Sequence, residues 1–404
     1  MLLRGSPRRV GAVDAVISVT AVICAGLVLS ACSTAVTTAL AGPAEREAVL
    51  AQRSAAVLRH DASALAATTA PGATPAARDL AARTAMLPLV RWSYAIESDQ
   101  AGPVAGERAI TAVLHYRLPS DRVDATGRRR LVLAPGSSGG WDVVSDDAAG
   151  AALPWDLGDV HYARGTHSEV LSPVGPASPT GVEADLPAQA SAAADAVTGV
   201  WGPDWRRTPV VVAVQGAAQL ADLTGRSTAG VAGLVAISTP DRVYVDLLAY
   251  AALDPAGHSV LLTHEVTHVA TAAGADLARP QWLKEGFADY VGFLHSGIGA
   301  SVAAASLLAR VHRTGPPAGL PADADFAPGV SQDTLADAYA GGWLMCVLIA
   351  ETDGQAALVS VYRRSGASGA SPQAALDEAL RQVTGRSLAA WTAGWQQDLK
   401  RRAA

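Results

Sequence analysis

The chain has 404 residues, half of them hydrophobic, enough for two ordinary domains with their own cores. Its formal net charge is −6 and basic runs such as Arg128-Arg129-Arg130 are short, which argues against nucleic acid as a partner. Three cysteines are too few and too scattered for a disulfide framework, and Cys346 sits in an apolar run that suits a core thiol.

The N-terminus reads as a targeting segment. Arg4, Arg8 and Arg9 precede a long uncharged, largely apolar stretch from Ala15 to Ala31. It ends in Leu29-Ser30-Ala31-Cys32, which resembles the lipobox of bacterial lipoproteins. That resemblance implies a signal peptide over 1–31, a lipid on Cys32 and a small-residue tether over 32–42. The alternative is an uncleaved signal anchor. Either way the bulk of the chain lies outside the cytoplasm, held at the membrane.

Residues 43–153 read as a first α+β domain. Pro43 to Ala67 and Pro75 to Leu87 have helical patterns. Strand signals follow at Trp92 to Ile96, Ile110 to Leu118, Arg129 to Ala134 and Trp141 to Val144. Ile110, Ala112, Leu114, Tyr116 and Leu118 alternate onto one face. The order of helices then antiparallel strands resembles the cone of the nuclear-transport-factor-like family. His60, beside Asp61, suits a helix end, and His115 a strand surface.

Residues 154–404 read as a second domain. His161 to Leu171 is a strand or strand pair, on which His161 and His167 would share a face. Glu183 to Trp201 is helical. Pro209 to Val214, Val231 to Ile237 and Val243 to Leu248 are strands, with a short helix at Gly216 to Leu223. Asp254 and Pro255 then mark a helix start, as N-cap and first helical residue, and Gly274 its end.

That helix carries His264-Glu265-Val266-Thr267-His268. Residues four apart share a helix face, so both imidazoles can aim at one metal ion. Glu265 is rotated about 100° from His264, which suits a carboxylate beside the metal and not on it. A second helix contains Trp282 to Tyr290. Catalytic zinc takes three protein ligands, and two histidines with a glutamate are a recurrent set. Glu285 can complete it. Asp289 shares its face and can accept the free N–H of a ligating histidine. His258 falls on the Glu265 face near the helix start, where a solvated side chain is expected. His295 and His312 read as structural or exposed.

The pairing of H-E-x-x-H with Glu285-Gly286-Phe287-Ala288-Asp289-Tyr290 resembles the gluzincin metallopeptidases, the thermolysin-related branch of the peptidase MA-like group. The resemblance implies Zn2+ on His264, His268 and Glu285, Glu265 as general base and later acid, and Asp289 as orienting partner of His264. It implies a peptide or protein substrate, and a strand beside the cleft, matched here to Arg242 to Leu248. It also implies a tyrosine opening a later helix as an oxyanion donor, a position that Tyr339 matches. Gly341-Gly342 after it departs from the usual pattern. Thr314 to Val330 reads as a loop that covers the cleft or is inert. Two rivals remain open at this stage. One is an extracytoplasmic binding lipoprotein on the same scaffold. The other places the function in the first domain.

Overall fold

The computed structural model describes residues 42–136, 139–173, 181–227, 235–273, 279–366 and 371–404. The expected signal peptide, Cys32, most of the tether and Gly274 lie outside them. No helix among the described residues is long and apolar enough to cross a membrane.

The fold is mixed α+β. Helix α1 (Pro43–Leu58) starts with proline in its first turn and buries Val49, Leu50, Ala56 and Val57. It does not run on to Ala67. His60 takes a left-handed φ of 51°, and the Asp61 side chain accepts from Ala64 N at 2.8 Å to begin a separate turn. A short side-chain acceptor competes with the helical ladder and restarts it. An antiparallel meander follows: β1 (Arg91–Ala101), β2 (Arg108–Arg117), β3 (Ala125–Pro135) and β4 (Trp141–Ala148), in that spatial order. On β2 the alternation holds, with Ile110, Ala112, Leu114 and Tyr116 all buried.

The second sheet is built from β5 (His161–Gly165), β6 (Ser168–Ser172), β7 (Val210–Val214), β8 (Ala236–Ser238) and β9 (Val243–Asp246). Helix α2 (Leu186–Trp201) precedes β7, and α3 (Gly216–Thr224) follows it. The spatial order is β5-β6-β7-β9-β8. β6, β7 and β9 are parallel, while β5 and β8 run antiparallel at the two edges. All five residues of β7 are buried, as its unbroken Val-Val-Val-Ala-Val run requires of a central parallel strand.

Two expectations change here. The strand that borders the cleft is β8 and not β9, within the Arg242 to Leu248 segment. β9 is paired on both sides, and β8 takes the edge instead. His167 leaves the strand for the β5–β6 turn, where its Nδ1 meets Asp195 Oδ1 at 2.6 Å, so it does not share a strand face with His161.

The two sheets share one hydrophobic cluster. Trp92 and Tyr116 from the first part pack with Trp155, Val210, Val212 and Leu220 from the second. A buried ion cluster reinforces the junction. Arg242 forks onto both Asp121 oxygens at 2.8 and 2.9 Å, and Arg206 adds a third bond at 2.7 Å. A bidentate guanidinium–carboxylate pair of this kind is geometrically specific.

The rest is helical: α4 (Pro255–Thr271), α5 (Gln281–Phe293), α6 (Ala305–Thr314), α7 (Gln332–Asp353), α8 (Gln355–Ser365), α9 (Pro372–Thr384) and α10 (Leu388–Arg402). Trp391 and Trp395 on α10 are buried in the same core as Cys346, whose free thiol is fully enclosed. Burial pushes that thiol's pKa up, so it is inert. Ser331 caps α7, accepting from Thr334 N. Tyr339 therefore lies two turns inside this helix and does not open it.

Candidate metal centre

Helix α4 is defined by its ends. Asp254 accepts from Gly257 N at 2.7 Å and Pro255 fills the first turn. The helix stops at Thr271, with Ala272 in the left-handed conformation at φ 54°. Its buried face carries Leu262 and Val266 into the core. That fixes the helix rotation and directs His264 and His268 towards α5. His258, expected in solvent, is instead buried. Its ring stacks on Tyr250 at 4.0 Å and its Nε2 meets Tyr250 O at 2.8 Å, tying the first turn of α4 to the segment after β9.

Helix α5 brings Glu285 to the same place. His264 Nε2 and His268 Nε2 are 3.0 Å apart. Glu285 Oε2 lies 3.2 Å from His268 Nε2 and 3.3 Å from His264 Nε2. All three side chains are buried. The remaining Glu285 oxygen accepts from Gln281 Nε2 at 2.6 Å. Asp289 Oδ1 meets His264 Nδ1 at 2.7 Å. With the Asp289 carboxylate as acceptor the imidazole hydrogen belongs on Nδ1, and Nε2 is the nitrogen that faces His268 and Glu285 and that a metal would take.

The electrostatics are those of a site that favours positive charge. Burial works against a charged His264, but Asp289, Glu285 and Glu265 outweigh it and raise its pKa well above the usual value. Burial would raise the Glu285 carboxyl, yet His268 and His264 hold it well below the carboxylate range. For Asp289 burial prevails and the pKa rises. Burial, then the Glu285, Asp289 and Glu265 carboxylates, keep the Tyr339 phenol protonated.

A cavity of about 490 Å³ opens onto these groups. His264, Glu265, His268, Glu285 and Tyr339 all line it. The Tyr339 ring centroid is 6.2 Å from that of His264. The edge strand β8 forms another wall, through Ala236, Ile237 and Ser238. The segment after α6 supplies a further wall: Phe326 to Val330 border the cavity, and Phe326 packs edge-on against Tyr339 at 5.4 Å. The Thr314 to Val330 loop is thus part of the cleft. It also has a structural duty. Asp323 Oδ1 accepts from Gln281 N at 2.7 Å, capping α5 where Pro280 has no side chain to do so.

The sequence spacing singled out His264, Glu265, His268, Glu285 and Asp289, the family resemblance added Tyr339, and the fold brings all six together. His115, His161, His167, His295 and His312 are not among the groups that line the cavity. Gln281 was not singled out, although its spacing of four from Glu285 on one helix was a usable signal. Asp323 and Lys284 were also missed. Asp323 acts across a loop, and Lys284 lines the cavity from the α5 turn that also carries Gln281. Asp289→Asn keeps the shape but loses the carboxylate on His264. It is expected to weaken zinc binding about 10- to 100-fold, measured by competition with a chromophoric chelator.

No model of a known protein family matches the chain, and no curated protein matches it. Among solved structures it is similar to a crystal structure of a two-domain M1 zinc metallopeptidase mutant bound to L-arginine. That likeness has 16% identity and a TM-score of 0.37, and covers 67% of this chain and 58% of the other. It is also similar to a crystal structure of an M1 zinc metallopeptidase mutant from Deinococcus radiodurans, at 16% identity and TM-score 0.37, covering 78% of this chain and 60% of the other. The chain thus spans less than two thirds of the length of either structure.

Proposed function

We propose that this chain is a zinc-dependent peptidase, with His264, His268 and Glu285 as ligands and Glu265 as general base. The observation that carries the reading is the convergence of three buried donor atoms, 3.0 to 3.3 Å from one another. Donors on a tetrahedral shell with bonds near 2.0 Å are about 3.3 Å apart. The set is nitrogen and oxygen with no thiolate, and its open side faces the cavity, both suited to catalytic zinc. Two imidazole Nε2 atoms in contact are awkward without a shared cation between their lone pairs.

Zinc there supplies a Lewis acid and a water acidified towards neutral pH. The chain supplies the rest. Glu265 lines the cavity beside His264 and takes the proton from the attacking water, then hands it to the leaving nitrogen. Tyr339, held as a phenol, donates to the oxygen that gains negative charge on the attacked carbonyl. Asp289 keeps His264 in the ligating tautomer. β8 has a single strand neighbour among the described residues, and its outer edge can pair with an extended peptide through backbone hydrogen bonds. Affinity gained that way asks for no particular sequence.

The zinc-loaded chain is expected to cleave peptides from a broad library, to stop when a chelator is added and to recover with zinc. Zinc-loaded protein without any cleavage would contradict the reading. We further propose that residues 1–42 serve as signal and tether, with Cys32 lipidated. Palmitate labelling in a bacterial host is then expected, and its persistence in Cys32→Ala would rule that anchor out.

A further inference from the structure

The two oxygens of Glu285 have different surroundings. Oε2 faces both imidazoles, 3.2 Å from His268 Nε2 and 3.3 Å from His264 Nε2. Oε1 is turned away from them and accepts from Gln281 Nε2 at 2.6 Å. An ionised carboxylate only accepts, so the glutamine must present its nitrogen here. Glu285 is 7% exposed, so the amide supplies the hydrogen bond that water gives an open carboxylate.

Gln281 is itself held. It is the first residue of α5, one turn before Glu285 on the same face. Pro280 before it offers no capping side chain, and Asp323 Oδ1 accepts from Gln281 N at 2.7 Å. Without that acceptor the first N–H of α5 would be unsatisfied and the turn free to fray, taking the amide with it. Asp323 opens the short 3-10 turn Asp323–Phe326, whose last residue packs on Tyr339. A glutamine needed only to start the helix would leave its amide in water. This one reaches forward one turn to the ligand carboxylate.

Building on the zinc reading, we propose that Gln281 is a positioning residue that restricts Glu285 to ligation through one oxygen, and so keeps open the side of the site that faces the cavity. The terminal torsion of a glutamate is broad, so an unheld carboxylate can turn both oxygens inward. The second oxygen would then crowd the position that catalytic zinc sites keep for water and substrate, and that lets coordination rise to five during reaction. To turn inward, Oε1 must first give up a charge-assisted hydrogen bond, and bonds of that kind are the strong ones. In this role Gln281 acts through Glu285 and on no reacting atom.

The test is cobalt(II) substitution of the full chain, because the intensity of the visible cobalt band reports coordination number. The parent is expected to show the intense band of a four-coordinate site. Gln281→Met keeps the reach of the side chain and removes the donor. Its band is expected to weaken as coordination rises to five, and kcat of its zinc form to fall about 10- to 100-fold with KM little changed. Gln281→Lys puts an N–H donor back at similar reach and is expected to restore the parent band. A glutamine with a merely structural role would lower thermal stability in both variants and leave the band alone, which overturns the proposal. So does an equally weakened band in Gln281→Lys, because the donor is then not what matters. So does a Gln281→Met chain that takes up no cobalt, because Glu285 is then lost as a ligand and not turned. A parent that takes up no cobalt removes the zinc reading itself. Cobalt uptake with one spectrum in all three proteins removes only this proposal.

Discussion

Glu265→Gln is expected to lower kcat by about 10²- to 10⁴-fold while zinc content and thermal stability stay at parent values. The amide has the same shape, so the cavity and α4 keep their packing. What is lost is the basic oxygen to which the proposed function gives the proton transfer from water to the leaving nitrogen. Because the carboxylate lies beside the three donors and is not one of them, metal affinity is expected to be retained. Steady-state kinetics with metal analysis on the same sample checks both halves. A variant that loses zinc would mean that Glu265 is a ligand. A variant with full activity would mean that the proton is handled elsewhere.

Gly342→Ala is expected to destabilise the chain by about 3 kcal/mol, the upper part of the usual range for overpacking, and to weaken zinc binding with it. Helices α5 and α7 touch through glycine. A Cβ on Gly342 would sit 2.5 Å from Trp282 O, and one on Gly286 would sit 2.3 Å from the Gly342 carbonyl carbon. Both obstacles are backbone, so no rotamer change relieves them. One helix must move, and both carry site residues: Glu285 and Asp289 on α5, Tyr339 on α7. A small shift therefore enlarges the ligand triangle and moves the phenol. Denaturant unfolding and zinc competition, run together, check this. An unfolding midpoint and zinc affinity equal to the parent's would show that the close approach is not needed. The glycine pair Gly341-Gly342 after Tyr339 has its explanation here. Gly342 meets α5, while a Cβ on Gly341 would lie 3.2 Å from Pro321 and 3.3 Å from Trp395.

The parts of the fold that could be read from the sequence are the local ones. The Asp254–Pro255 start of α4, the alternation on β2 and the buried run of β7 each need only neighbouring residues to be legible. The site residues were legible for the same reason. His264 with His268, and Glu285 with Asp289, are each one helical turn apart, and a turn is a local object. What two helices do to each other is not local. The glycine contact, the Asp323 cap on Gln281 and the cavity lined by Tyr339 all depend on how α5, α7 and the loop before α7 come together. Strand order was not legible for a related reason. Val243 to Leu248 and Val231 to Ile237 look alike as short apolar runs. Only the parallel pairing of β9 with β7 decides which of them ends at the edge. His258 shows the same limit. Its position on the helix wheel suggested solvent, and the Tyr250 ring and carbonyl bury it.

The claim at the centre of this account is that His264, His268 and Glu285 hold a catalytic metal. Metal analysis of the purified chain from Ser33 onward, after exposure to zinc and removal of excess, tests it most directly. About one zinc per chain is expected in the parent and in Glu265→Gln, and almost none in His264→Ala. No zinc in a folded parent, or full zinc retained in His264→Ala, would contradict it.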